Sequence, residues 1–75
     1  MSGRLPIVTP DRMIRALVRA GFAVDHQTGS HAVLLNEATH KRTVVPVHRR
    51  DLARALMKSI LKQVGLTEDE FRKLL

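Results

Sequence analysis

The chain has no cysteine, tryptophan or tyrosine, and only two phenylalanines among 75 residues. Without cysteine there is no disulfide framework and no thiolate metal site. Without an exposed aromatic platform, base-by-base reading of a single strand has little to stack on. Phe22 and Phe71 both read as core, so weak base specificity is expected. No apolar run approaches the roughly 18 residues of a membrane-spanning helix. The N-terminus lacks an apolar h-region and does not read as a signal peptide, which makes the cytoplasm the expected location. Four histidines remain, His26, His31, His40 and His48. They lack the i, i+4 or cysteine-paired spacing of a zinc site, and neither a metal nor a small-molecule cofactor is expected.

Positive charge is abundant. Thirteen Lys and Arg oppose seven Asp and Glu, for a net charge of +6. The excess lies in residues 1–66, which hold eleven basic and four acidic side chains, whereas residues 67–75 hold two basic and three acidic. Such a balance does not choose a fold, but it favours a polyanion as partner. A chain of this length makes one domain, residues 1–75, and buries only about 60% of its unfolded surface. Chemistry is therefore expected on an open face rather than in a deep pocket.

Residues 1–8 read as a lead-in from which Leu5, Ile7 and Val8 can dock. Thr9-Pro10-Asp11 opens a helix, with Thr9 as N-cap and Pro10 at the first helical position. Met13, Ile14, Leu17 and Val18 share one face of it, and Arg12, Arg15 and Arg19 lie on the other. Gly21 fits the position that ends it. Strands are expected over 22–27, 30–36 and 42–47, with a turn at Thr28-Gly29 that exploits the tolerance of glycine for φ > 0. Pro46 marks an edge or the end of pairing. A second helix runs to Gly65, with Leu52, Leu56, Ile60 and Val64 along one face and Arg54, Lys58 and Lys62 along another. Thr67 and Glu70 form a capping box for a short last helix. The order is helix, three antiparallel strands, helix, short helix. That is an α+β, two-layer fold with the helices on one face of a three-stranded antiparallel sheet.

Gly29-Ser30-His31 carries the functional reading. It delivers a histidine to the start of an apolar strand, Ala32-Val33-Leu34-Leu35, where histidine has no packing advantage over valine and needs a polar partner if buried. Histidine is the side chain best suited to moving a proton near neutral pH. Ser30 can hold His31 or a phosphate. His48, just after Pro46-Val47, can supply a second proton-transfer group or a phosphate contact. Arg49-Arg50 with Lys41-Arg42 is the candidate phosphate clamp, because arginine forks match phosphate oxygens. His26 and His40 read as solvated.

In order and spacing, four segments resemble the HicA-type toxins of bacterial and archaeal toxin–antitoxin pairs. They are the helix ending at Gly21-Phe22, Gly29-Ser30-His31, Val45-Pro46-Val47-His48, and Ser59-Ile60-Leu61-Lys62-Gln63-Val64-Gly65-Leu66. The resemblance covers residues 9–75. It implies a fold similar to double-stranded-RNA-binding domains and an endoribonuclease that cleaves messenger RNA. It also implies that His31 is the catalytic residue and that a HicB-type antitoxin covers the toxin. Where the family often has Gly-Thr at the start of the second helix, this chain has Ala55-Leu56, which predicts an earlier start at Asp51. RNA carries its own nucleophile, the 2′-hydroxyl, so the protein needs only a base, an acid and stabilisation of phosphate charge. That route yields a 2′,3′-cyclic phosphate and a 5′-hydroxyl. Two other readings use the same residues. One is a non-catalytic RNA-binding module, with His31 contacting only phosphate or ribose. The other is a helix-turn-helix DNA binder over 51–75, which the acidic Glu68, Asp69 and Glu70 disfavour.

Overall fold

A computed structural model describes residues 4–75. Helix α1 spans Pro10–Arg19, strands β1, β2 and β3 span Ala23–Gln27, His31–Asn36 and Lys41–Pro46, and helices α2 and α3 span Arg54–Val64 and Glu68–Leu74. The sheet is antiparallel in the order β1-β2-β3, so β2 is central and β3 is an edge. This is the expected α+β, two-layer arrangement.

Thr9 caps α1 by accepting from the Arg12 amide, and Pro10 occupies the first turn. The buried residues of α1 are Pro10, Met13, Ala16 and Leu17, while Val18 is 50% exposed. The apolar face is thus rotated from the expected one. At about 100° per residue, Ala16 lies to one side of the arc set by Pro10, Met13 and Leu17 and is buried, whereas Val18 lies to the other side of it and is not. The helix ends where Gly21 takes φ 102°, with the Phe22 amide returning to the Leu17 carbonyl at 3.0 Å. A Cβ at Gly21 would also press on Asn36 Nδ2 at 3.2 Å.

Cross-strand partners share a face of the sheet. Ala32 pairs with Val45 and Leu34 with Thr43. Ala32, Leu34 and Val45 are fully buried with Met13, Leu17, Met57, Ile60, Leu61 and Phe71. This is the helix-covered face. The buried Thr43 hydroxyl donates to Gln63 Oε1 at 2.6 Å and fastens β3 to α2. Leu5 and Val8 complete the core.

Helix α2 starts at Arg54 behind Ala53, which offers no side-chain cap. The expected start at Asp51 is therefore corrected. The Leu52 amide is spent on the Val8 carbonyl at 2.9 Å, and the Arg54 guanidinium donates to the Leu5 carbonyl. Residues 51–53 thus bridge to the N-terminal segment instead of coiling. Arg54, expected on a wet stripe with Lys58 and Lys62, is partly buried by this tie. Gly65 closes α2 in the left-handed region at φ 77°. The capping box of α3 forms as expected, and Phe71 is fully buried. The Arg19 guanidinium donates to the Leu74 carbonyl and docks the end of α3 on α1.

Candidate functional site

The face of the sheet away from the helices is open. His31, Val33 and Leu35 of β2 lie on it. Their partners Pro46, Val44 and Arg42 come from β3, and Ala23 and His26 come from β1. His31 is exposed at the first position of the central strand. Its backbone position is fixed from both sides. Thr28 Oγ1 accepts from the amides of Ser30 and His31, at 3.3 and 3.1 Å. The Thr28 amide donates to the His31 carbonyl at 2.9 Å. The Val47 amide donates to the Ser30 carbonyl at 2.8 Å.

The turn before His31 therefore rests on the Thr28 hydroxyl. Gly29, expected to supply φ > 0, does not adopt it; positive φ is confined to Gly21, Gly65 and His40 among the described residues. A Cβ on Gly29 would meet nothing within 4 Å. Neither backbone strain nor packing calls for glycine at this position.

Ser30 Oγ lies 3.1 Å from His31 Nδ1, a hydrogen bond in which either partner can donate. No other side-chain contact engages the ring among the described residues, so Nε2 stays available. His48 follows the Ser30–Val47 pair by one residue. Its Nδ1 accepts from the Arg50 amide at 3.1 Å. With Nδ1 an acceptor, the ring proton sits on Nε2, which is presented as a donor. Arg49 and Arg50 are exposed, and their guanidinium groups make no bond among the described residues.

The clamp predicted from sequence divides along β3. Arg42 pairs with Leu35 on the open face, four residues from Pro46, so about 13 Å separates it from the His31 end. Lys41 pairs with Asn36 at the far end of the strand, and its aliphatic stem lies over Gly65, where an added Cβ would be 3.1 Å from Cε. The Ser30–Val47 bond sets Ser30, His31 and His48 at one end of the sheet, Arg49 and Arg50 follow His48 in the chain, and Arg42 shares the open face. Lys41 lies apart from them.

One residue on this face was missed. The register shifts between Val24 and His26, with Asp25 as the extra residue. The bulge turns His26 to the face of His31, opposite Val33. Its Nδ1 is 2.9 Å from Asp25 Oδ2. Strict alternation hides this, because a bulge has no sequence signal beyond the polarity of Asp25. Among the described residues no three His, Asp or Glu side chains gather as a metal site, and no helix is long and apolar enough to cross a membrane.

A family model described as the HicA toxin of bacterial toxin–antitoxin matches residues 10–66. A search among curated proteins finds no match. The matched span runs from the first turn of α1 through β2 and the His31 end of the sheet to the residue after Gly65. The chain belongs to the HicA toxin family of bacterial toxin–antitoxin systems.

Proposed function

We propose that this chain is an endoribonuclease toxin that cleaves messenger RNA without a metal ion, with His31 as general base. The observation that carries this reading is the Ser30–His31 pair at the start of the central strand, on the open face of a strongly basic domain. When His31 Nδ1–H donates to Ser30 Oγ, the lone pair of Nε2 points outward as the base. Nε2 takes the proton of the 2′-hydroxyl as that oxygen attacks the adjacent phosphorus. The P–O5′ bond breaks, leaving a 2′,3′-cyclic phosphate and a 5′-hydroxyl.

The negative charge that builds on the phosphate oxygens needs donors already in place. The His48 Nε2–H and the guanidinium forks of Arg49 and Arg50 supply them beside His31. Arg42 extends the track along the open face, and Lys41 adds positive charge at the far end of β3. Gly29, with open space where a Cβ would stand, lets a nucleotide approach the turn closely. Messenger RNA as substrate makes the cytoplasm the site of action. A HicB-type antitoxin neutralises the toxin by covering this open face.

The test is cleavage of an end-labelled RNA in EDTA, with analysis of the product termini. Cleavage that persists and leaves a 2′,3′-cyclic phosphate and a 5′-hydroxyl is expected. Cleavage abolished by EDTA, or products with a 5′-phosphate, would contradict the mechanism. RNA bound but never cut would support the non-catalytic module instead.

A further inference from the structure

With His31 as base, the departing 5′-oxygen still needs a proton, and His48 is a poor source of it. Its Nδ1 is occupied by the Arg50 amide, so the ring is held as a neutral donor suited to a phosphate oxygen. We infer that His26, oriented by Asp25, is the general acid that protonates the leaving 5′-oxygen; this rests on the proposed RNA cleavage.

Three observations carry the assignment. First, the bulge at Asp25 puts His26 opposite Val33, two residues along β2 from His31 and on the same face. Diagonal neighbours of this kind sit roughly 7–8 Å apart, close enough for both rings to reach one phosphate between them. Second, His26 Nδ1 lies 2.9 Å from Asp25 Oδ2. A carboxylate only accepts, so Nδ1 carries a proton and the ring presents Nε2 outward. This is the carboxylate–histidine arrangement that fixes tautomer and orientation. Third, both side chains are more than half exposed. Nothing in the core calls for this pair on an edge strand.

The proton balance closes. The 2′-oxygen attacks phosphorus and gives its proton to His31 Nε2. The P–O5′ bond breaks as His26, protonated on both nitrogens, delivers its Nε2 proton to the 5′-oxygen and keeps its Nδ1 proton toward Asp25. Exchange with water then resets both rings. Asp25 is a positioning residue in this scheme, since it acts only through His26.

The test uses two short RNAs that differ in one atom. One has the ordinary linkage, and the other has sulfur in place of the bridging 5′-oxygen. A 5′-thiolate departs without a proton, so the sulfur substrate bypasses the acid. His26→Gln is expected to slow the ordinary substrate by about 10²- to 10⁴-fold while cleaving the sulfur substrate close to the wild-type rate. Asp25→Asn should show the same selectivity with a smaller loss. His31→Ala should slow both substrates. Equal slowing of both substrates by His26→Gln, or of neither, overturns the assignment while leaving the endoribonuclease reading intact. Failure of the unsubstituted protein to cut either substrate overturns that reading and this inference with it. Circular dichroism of His26→Gln, an exposed edge-strand change, verifies that the fold is kept.

Discussion

Ser30 holds His31 by a single hydrogen bond, and one such bond is worth roughly 0.5–1.5 kcal/mol. Ser30→Ala is therefore expected to lower kcat by about two- to tenfold with KM unchanged, because it loosens the base without touching RNA contacts. Steady-state kinetics on a short RNA measures this, and an equal rise in KM would point to Ser30 binding phosphate directly. The place of His31 at the head of β2 was legible because the apolar run Ala32-Val33-Leu34-Leu35 marks the strand and the turn before it marks its start, although the ring is exposed rather than buried. His48 was legible through its place beyond Pro46, and only the structure assigns its ring proton to Nε2. The turn was misread at Gly29. A glycine in a turn suggests φ > 0, but the Thr28 hydroxyl competes for the same amides and closes the turn without it. His26 was hidden because a one-residue bulge inverts the alternation that assigns faces.

At the element scale, α3 depends on its N-terminal box. The Thr67 amide donates to the Glu70 carboxylate at 2.8 Å, and the Glu70 amide donates to the Thr67 hydroxyl at 3.1 Å. The bond from the Thr67 amide foremost, and then the Thr67 side chain, hold the Glu70 carboxyl below the usual carboxylate range. A carboxyl lowered in the folded state contributes stability above its ordinary range. That contribution is lost as pH falls through the lowered value. Thermal melts should therefore show the native protein ahead of Glu70→Gln near neutral pH. The gap should close on acidification below about pH 4, and a gap independent of pH would contradict this coupling. The box was readable because its residue types and spacing are local. The start of α2 was not readable, because its displacement to Arg54 depends on bonds from residues 52 and 54 to the distant N-terminal segment. The face of α1 was readable except for its flanks: Met13 and Leu17 are buried as the spacing implies, but the side that carries small, helix-favouring Ala16 is buried and the side that carries Val18 is not.

At the scale of the whole molecule, the helices cover one face of the sheet and leave the other open. The two-layer order was legible because each element carries its own periodicity or cap. Strand register and the division of the basic groups along β3 were not, because they depend on pairing across the sheet. The domain measures 36 × 29 × 17 Å, and a standard protein interface takes about 800 Å² from each partner. An antitoxin acting by occlusion should therefore protect amides at Ser30–Leu35 and Val45–Arg50 in hydrogen exchange of the complex. Protection confined to residues 67–75 would require remote action instead. The central claim is that His31 performs the chemistry. Its most direct test is the single-turnover cleavage rate of folded His31→Ala against the unsubstituted protein in EDTA, with RNA binding measured alongside. The account predicts a loss of at least about 10²-fold in rate with binding and fold retained. Cleavage at the unsubstituted rate by a folded His31→Ala protein would contradict it.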